Sequence, residues 1–304
     1  MAVPMNSSSF RATVAPILNE TFDGLYDTRM DEWKQVFKEF TGLPRAYHED
    51  VVLFGMNAAP ELPDGMPVTY DAGGTLYLQR YLYKVYGLAF ALTKVLVEDG
   101  DHISIGQTYA KHLAKSQIET KETLGANILN RAFNASYTGG DGVALNVTTH
   151  PVVSGTQSNL LTTAANLSQT SLEQMLIQIR NAADSNGKRI RLTPKKIVSG
   201  PSNEFQAEVL TKSVLRTGTA NNDINPVKSL GMLNEDTAIL SRITSTTAWW
   251  VQTDATDGLK LAMRRKLEKS MEGDFETDSM RYKSTERYAF NWTDWRGIWG
   301  TPGL

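Results

Sequence analysis

The sequence of 304 residues contains no cysteine. This absence excludes a disulfide framework, a zinc site built from thiolates and a cysteine nucleophile. Histidine is also scarce, and the histidines lie without the HExxH spacing that places two of them on a metal ion: His48, His102, His112 and His150. No apolar run reaches the roughly 18 residues of a membrane-spanning helix, and no signal-peptide pattern follows the first residue, so the sequence predicts no membrane association.

Charge and composition narrow the functional classes further. The formal net charge is −2, from 31 basic and 33 acidic side chains, which gives no overall basic footprint for tight binding to nucleic acid. Hydrophobic residues make up 41% and charged residues 21% of the chain, as in a folded globular protein. A chain of this length buries roughly three quarters of its unfolded surface and divides on average into about two domains.

Three short motifs resemble functional sites, but each lacks a defining element. Thr138–Gly142 (TGGDG) has neither the lysine nor the spacing of a phosphate-binding loop. The NNDIN run at 221–225 lacks the glycine and the bidentate glutamate of a calcium loop. EDGDH at 98–102 is explained by a polar turn before a long helix. No GxSxG nucleophile motif occurs, so the sequence predicts no catalytic, cofactor-binding or metal-binding residue and no cofactor.

The first 44 residues predict an arm followed by a short helix. The opening ten residues are small and polar, as in a mobile segment. A helix is predicted from about Asp27, ended by the glycine and the proline at positions 42 and 44. It carries four apolar residues at helical spacing: Trp33, Val36, Phe37 and Phe40. This stripe predicts core packing or, alternatively, a buried contact with a neighbouring subunit.

Residues 45–86 have the proline and glycine spacing of an extended hairpin. Prolines and glycines interrupt short extended runs, and Asp71–Gly74 (DAGG) is a turn signal between two strand-like segments. A hairpin of this kind has too little packing surface to be a domain by itself. It either lies across the core of its own chain, which the residues alone slightly favour, or reaches over another subunit.

Two lobes are predicted from the rest of the chain. A helix about 40 Å long is predicted over Ile105–Phe133. Near the C-terminus, apolar side chains of the same parity predict a strand pair with one buried face: Met280, Tyr282, Tyr288, Phe290 and Trp292. The long helix and these strands form one lobe, and Tyr137–Thr253 form a compact α+β lobe between them. In that central lobe, Thr170 and Glu173 predict a capping box, and Gly187 a helix C-terminus.

Five motifs along the chain are similar, in the same order, to those of tailed-phage major capsid proteins of the Hong Kong 97 type. They are KVYGLAFALTKVLVEDGD, ILNRAFNASYTGGDGVAL, LRTGTANNDINPVKSLGM, QTDATDGLKLAMRR and MEGDFETDSMRYKSTERYAFNWTDWRGIWG. Each motif alone is weak, but together they cover nearly the whole chain. The sequence therefore resembles this family in its motifs as well as in its predicted order of elements.

The resemblance implies a structural protein rather than an enzyme. It implies self-assembly as pentamers and hexamers into the icosahedral head shell that encloses packaged double-stranded DNA, with assembly in the host cytoplasm and final residence in the virion. The implied partners are other copies of the chain, a portal, decoration proteins and, because the arm begins almost at Met1, a separate scaffolding protein. DNA would be touched only by weak, non-specific contacts.

The implied fold is α+β, with the anatomy of the Hong Kong 97-like capsid fold. Residues 1–44 would form the N-terminal arm and short helix, and 45–86 the extended hairpin loop that overlaps a neighbouring subunit. A peripheral domain would combine 87–136, with its long spine helix, and 254–304. Residues 137–253 would form the axial domain, whose loops meet around the five-fold and six-fold axes.

Subunit-interface residues are predicted on the arm, the hairpin and a basic strand. They are Trp33, Phe37, Phe40, Tyr70, Tyr77, Tyr81, Lys84, Arg264 and Arg265. The basic run Arg264–Lys266 predicts a solvated strand face or, alternatively, contact with an acidic subunit edge or packaged DNA. Lys84 lies on the hairpin, where some relatives form a covalent cross-link, and the sequence neither predicts nor excludes such a bond here.

Two other functions are compatible with the residues. A bacterial nanocompartment shell shares the fold but would need an inner groove for cargo. A soluble α+β enzyme acting on carbohydrates or nucleotides would need a pocket with perturbed carboxylates or histidines, and four scattered histidines make such a pocket hard to build.

Overall fold

The computed structural model describes residues 7–28, 31–41, 45–93, 95–96, 102–216, 223–274 and 279–304. The predicted mobile segment at 1–6, the predicted helix end at 42–44, the acidic positions 98–101 and the start of the NNDIN run at 221–222 lie outside these ranges. Within them, no helix combines the length and the hydropathy that a membrane crossing requires.

The elements alternate between helices and strands along the chain. The α-helices are α1 (Ser7–Tyr26), α2 (His102–Asn130), α3 (Gln169–Arg180), α4 (Glu204–Lys212) and α5 (Pro226–Ser229). The strands are β1 (Lys38–Phe40), β2 (Tyr47–Phe54), β3 (Gly74–Leu82), β4 (Lys84–Leu92), β5 (His150–Val152), β6 (Gly155–Gln157), β7 (Pro194–Ser199), β8 (Ala238–Ile239), β9 (Trp249–Thr253), β10 (Leu259–Gly273), β11 (Met280–Trp292) and β12 (Ile298–Thr301). Short 3-10 turns lie at Glu32–Gln35, Pro201–Asn203 and Trp295–Gly297.

The first sheet has the strand order β1–β10–β11–β4 and is buried on one face beneath α2. Alternate residues of β11 face the helix, which confirms the predicted buried side of the strand. Met280, Tyr282, Tyr288 and Trp292 are buried, and Phe290 is partly buried. Helix α2 begins and ends three residues before the predicted bounds and is about 44 Å long. Helix α1 packs on α2 with residues four positions apart: Val14, Leu18 and Phe22.

Two polar residues of β11, Ser284 and Glu286, lie fully buried on that same face. Gln117 of α2 donates a hydrogen bond to the Ser284 hydroxyl over 3.1 Å, and Lys121 forms an ion pair with Glu286. The Tyr26 hydroxyl of α1 accepts from Lys121 at 2.6 Å and donates to Glu286 at 3.0 Å. Because breaking a buried ion pair costs roughly 3–5 kcal/mol, these contacts fix how α1, α2 and β11 align.

The second sheet, β12–β9–β7–β8, organises the central block. Trp250 of β9 is buried, donates from Nε1 to Asn146 Oδ1 at 3.0 Å, and stacks on Phe133 with 5.8 Å between ring centres. Strand β12 crosses so close that a Cβ on Gly300 would lie 2.2 Å from the Trp250 ring. The four-part division into arm, hairpin, peripheral and axial domains stays a prediction, but β12, assigned above to the peripheral domain, pairs with β9 of the central block.

The segment around Trp33 differs from its predicted helix. Only a single 3-10 turn forms at Glu32–Gln35, and β1 then pairs in parallel with β10. The apolar residues at 33, 36 and 37 are nevertheless buried. Their spacing therefore reflects burial, whereas the free edge of β10 determines the backbone conformation. The opening segment also differs from its prediction as a mobile arm, because residues from Ser7 onward form the helix α1.

Two predicted helix signals in the central block are wrong. The helix predicted there does form, as α3, but its capping box uses the hydroxyls of Ser168 and Ser171 rather than Thr170 and Glu173. The helix ends at Arg180. Gly187, with φ of +83°, lies in the turn that follows, where Gly187 N–H donates to Asp184 O at 3.1 Å. Serine and threonine are both common N-cap residues, and a glycine with positive φ occurs in turns as well as after helices, so sequence patterns alone do not fix either position.

A group of ion pairs and hydrogen bonds connects the central block to α2. Arg242, between β8 and β9, forms ion pairs with Glu32 at 3.1 Å and with Glu119 of α2. Next to it, Glu122 of α2 is buried and accepts hydrogen bonds from the backbone N–H groups of Glu32 and Trp33 at 2.9 and 3.1 Å. Burial and the charge of Glu32 raise the pKa of Glu122 to about 7, although the two backbone hydrogen bonds oppose this rise.

Replacing Trp250 by alanine is expected to lower the free energy of unfolding by about 3–5 kcal/mol, because the buried indole leaves a cavity. Phe205 is the matched control, since it is 84% exposed on α4, and F205A should change stability by less than about 0.5 kcal/mol. Urea unfolding of the unassembled chain measures both values, and equal losses for the two variants would contradict this account of the core.

The raised pKa of Glu122 predicts a pH-dependent stability. Between its ordinary value of 4.5 and about 7, the folded chain binds more protons at this site than the unfolded chain. The contribution of Glu122 to the free energy of unfolding should therefore fall as pH rises through this window and stay constant above it. The glutamine variant E122Q lacks this titration. Urea unfolding from pH 4.5 to 8 should show the wild-type stability falling relative to E122Q, and parallel pH profiles would contradict the assignment.

Candidate subunit-interaction surfaces

The hairpin loop, defined here as residues 55–73 between β2 and β3, is an exposed segment that carries several apolar side chains. It contains no helix or strand, and each of its residues is exposed. Its exposed apolar side chains are Met56, Leu62, Met66, Val68 and Tyr70, of which Tyr70 is 97% exposed. The DAGG turn was predicted to join two strands, but no strand directly precedes it, and it forms the end of this loop. Strand β3 pairs instead with β2, on the other side of the loop. Several exposed apolar side chains on one projecting loop favour an interaction site.

The base of the hairpin is held firmly on the first sheet. Thr293, just after β11, donates from its hydroxyl to Asp50 at 2.7 Å and therefore accepts from the Tyr81 hydroxyl at 2.5 Å. Lys260 pairs with Asp50 at 2.7 Å. Although burial opposes it, these hydrogen bonds hold the pKa of Asp50 below its ordinary value. Tyr77 adds a bond to the Thr293 carbonyl at 3.0 Å, so the hairpin leaves the sheet in a fixed direction.

The two ends of the hairpin loop are tied to each other and to the central block. The Asp71 carboxylate accepts from the backbone N–H groups of Asn57 and Ala72 at 2.6 and 2.9 Å, and these bonds lower its pKa. Asn186 donates to the Gly55 carbonyl at 2.6 Å, and Lys188 donates to the next carbonyl. Positions 58–70 between these ties carry most of the exposed apolar side chains.

The predicted interface residues divide by their burial. Trp33, Phe37 and Tyr81 lie in the chain's own core, which corrects their assignment to a contact surface and supports the alternative of core packing for the aromatic stripe. Trp33 and Phe37 are buried because both pack against Phe290 of β11. The Phe290 ring meets them edge-on, with 5.8 and 5.0 Å between the ring centres. Tyr70 and Lys84 are exposed, and the others are partly exposed: Phe40, Tyr77, Arg264 and Arg265. These six stay predicted interface residues.

The basic pair on β10 has partners within its own chain. Arg265 lies 3.3 Å from Glu268 and donates to the Thr285 hydroxyl at 3.1 Å. Arg264 is partly exposed and also interacts within the chain. The interpretation of this run as a solvated strand face therefore fits Arg265 well.

Sequence patterns did not reveal a groove between α2 and β4, called here the α2–β4 groove. Its volume is about 260 Å³, and its walls come from the end of the hairpin, α2, the loop after α2 and the end of β11. They include Leu82, Lys84, Tyr86, Ile128, Arg131 and Trp292. These residues are more than 200 positions apart at the extremes, so only the folded sheet brings them together. Exposed Lys84 and Arg131 give the groove a cationic rim over an aromatic and aliphatic wall.

Polar residues in the central block form a structural network. His150 is fully buried and stacks on Trp295, with 4.1 Å between the ring centres. Its ring nitrogens contact Asp141 at 2.6 Å and Asn159 at 3.0 Å, and Asp141 belongs to the TGGDG motif, which forms the predicted turn. Among the residues that the structure describes, no three side chains are grouped so as to hold a metal ion.

Solved structures with a similar fold include phage and phage-like capsids. The Mycobacterium phage Adephagia structure matches with a TM-score of 0.52 and 10% identity, covering 90% of each chain. The procapsid of bacteriophage JBD30 gives 0.52 and 13%, covering 98% of this chain and 76% of that one. The capsid of the native GTA particle gives 0.52 and 12%, covering 89% of both. The chain has the Hong Kong 97-like α+β capsid fold.

Sequence comparison assigns the family more directly. No curated protein matches the sequence. Residues 81–300, which span β4, α2, the central block and both C-terminal strands of the first sheet, match the family model described as phage capsid protein. This match covers more than half of the chain and confirms the resemblance seen in the five motifs. The chain belongs to the phage capsid protein family and is a structural protein of the phage head.

Proposed function

We propose that this chain forms, as pentamers and hexamers, the icosahedral shell of a tailed-phage head around double-stranded DNA. The observation that carries the proposal is the hairpin, whose base is fixed on the first sheet while residues 58–70 expose their apolar side chains. Such a projection gains stability only when another surface covers it. In a shell made of one chain, that surface belongs to a neighbouring copy.

The geometry of such a contact supports ring formation. A hairpin from one subunit that lies on a different surface of the next makes a heterologous, head-to-tail contact, and repeated contacts of this kind close into rings. The same chain closes rings of five and of six if the angle between neighbours varies slightly. Many modest contacts per subunit then give a shell that is stable collectively.

The remaining partners follow from the family. We propose a separate scaffolding protein, a portal and decoration proteins as partners, and assembly in the host cytoplasm before the shell becomes part of the virion. Contact with packaged DNA is weak and non-specific, in line with a net charge of −2. The nanocompartment alternative is not favoured, because the family match is to phage capsids. The family and fold also point to a structural protein rather than to a soluble enzyme.

Assembly of the purified chain tests the proposal. Light-scattering size-exclusion chromatography with negative-stain microscopy should show closed shells or rings of five and six subunits. A variant in which Leu62, Met66, Val68 and Tyr70 are all replaced by serine should remain unassembled, because the exposed apolar area of the hairpin loop is lost. Its urea unfolding midpoint should equal that of the wild type, since these side chains are exposed.

Two results would overturn the proposal. The first is a wild-type chain that stays monomeric or dimeric at high concentration even when scaffold is supplied. The second is a serine variant that assembles as readily as the wild type, which would remove the hairpin loop from the contact between subunits.

A further inference from the structure

We propose that three arginines on the face of the first sheet opposite α2 bind a phosphate group, supplied either by inorganic phosphate or by a nucleic-acid backbone. They are Arg264, Arg265 and Arg287, called here the arginine cluster. The site lies within one chain, so it goes beyond the shell proposed above and does not depend on it. Three observations carry the inference: a β-bulge that gathers the arginines, a buried hydroxyl beside them, and a shortage of acceptors for their N–H groups.

A β-bulge places the three arginines on one face of the sheet. Met263 is the register partner of Tyr288, and Arg265 is that of Arg287, so two steps along β10 match one step along β11. Arg264 is the extra residue. Met263 and Tyr288 belong to the core on the α2 side. Because side chains alternate along a strand, Arg264 and Arg287 point to the other face, and Arg265 joins them as the partner of Arg287.

The hydroxyl of Tyr83, between β3 and β4, lies close to the arginine cluster. The Tyr83 ring packs with Ala262 and Ala289, which are register partners next to the bulge. The side chain is 8% exposed, and its hydroxyl is buried without a hydrogen-bond partner among the described residues. Burial raises the pKa of Tyr83 to about 12, although the positive charges of Arg264 and Arg287 oppose this rise. The hydroxyl is therefore a protonated donor that lacks an acceptor.

The arginine cluster also has too few acceptors. The Nε atoms of Arg265 and Arg287 are buried and have no hydrogen-bond partner in the described part of the chain. Glu268 pairs with Arg265 at 3.3 Å, whereas Arg287 forms no ion pair within the same ranges. Arg264 has a partner within the chain and adds its charge. Since like charges directly opposite each other on paired strands are destabilising, an anion bound here relieves an existing repulsion.

The set of donors favours phosphate over carboxylate. A guanidinium group binds either anion through two parallel hydrogen bonds. A carboxylate has only two oxygens to offer, whereas a phosphate group has more oxygens and carries up to about two charges. Phosphate can therefore bridge Arg265 and Arg287 and still accept from the Tyr83 hydroxyl. The three arginines are partly exposed, so the ion approaches from solvent, and a shift of their side chains uncovers the hydroxyl.

Isothermal titration calorimetry of the full-length chain with inorganic phosphate, at constant pH and ionic strength, tests the inference. The variant R265Q/R287Q should weaken phosphate binding by about tenfold or more, because it removes two guanidinium groups. R281Q/K283Q is the matched control, since it removes two positive charges from exposed positions on the same strand and face, beyond the bulge. It should bind phosphate as the wild type does. Urea unfolding midpoints in chloride should not fall in either variant, which excludes misfolding as the cause.

A short DNA duplex, followed by fluorescence anisotropy, distinguishes the two sources of phosphate. If inorganic phosphate binds the wild type and the control but not R265Q/R287Q, the site takes the free ion. If only the duplex shows this pattern, the site takes the nucleic-acid backbone. Equal losses in R265Q/R287Q and R281Q/K283Q would indicate diffuse charge attraction and overturn the inference, as would a wild type that binds neither probe.

The variant Y83F gives a readout that diffuse attraction does not change. It keeps the buried ring and the net charge but removes the hydroxyl, so phosphate binding should weaken while the dependence on ionic strength stays that of the wild type. Without phosphate, its urea unfolding midpoint should equal or exceed the wild-type value, because a buried hydroxyl without a partner is lost. Phosphate binding by Y83F that is as tight as in the wild type would contradict the proposed geometry.

One further outcome would assign the arginine cluster to a different partner. If R265Q/R287Q binds phosphate and the duplex like the wild type but no longer forms shells or rings, the arginines pair with carboxylates of a neighbouring copy. That result would overturn the phosphate site while leaving the proposed shell intact. A chain that binds phosphate as expected but never assembles would do the reverse.

Discussion

The packing of β11 beneath α2 is the constraint on which the rest of the structure depends. β11 lies between β10 and β4, so it holds the whole first sheet together, and its alternate side chains must be buried. Two of these side chains are polar, and burial is tolerated only because Gln117 satisfies Ser284 while Lys121 and Tyr26 satisfy Glu286. Apolar packing supplies the driving force, and these polar contacts select one alignment of the long helix on the sheet.

The same strand determines where the interaction surfaces lie. Thr293 follows β11 directly and receives Tyr77 and Tyr81 from β3, so the hairpin takes its direction from the end of this strand. Trp292, the last residue of β11, also lines the α2–β4 groove. The base of the hairpin and one wall of the α2–β4 groove thus both depend on the end of β11. Their relative geometry is set within each subunit before any contact with a neighbour.

Patterns of burial were predictable from the sequence, whereas pairing between distant segments was not. The length of α2 and the buried side of β11 follow from helical and alternating periodicity, which are local. Trp33, Val36 and Phe37 are buried as their spacing indicates, yet no helix forms, because β10 offers an edge 220 residues away. The α2–β4 groove escaped prediction for the same reason: Lys84 and Arg131 acquire a common surface only after β4 pairs with β11.

The pairing of β4 with β11 also affects the timing of folding. Lys84 and Tyr288 are register partners, so about 200 residues are synthesised between the two strands. Contacts of such long sequence separation form slowly. A nascent chain that still lacks β11 and Thr293 cannot form the hydrogen bonds that hold the base of the hairpin, and one wall of the α2–β4 groove is missing. If the hairpin makes the contact between subunits, as proposed above, chains emerging side by side on one polysome cannot associate through it until almost the whole sequence has left the ribosome. The topology would then couple the start of assembly to the completion of the first sheet.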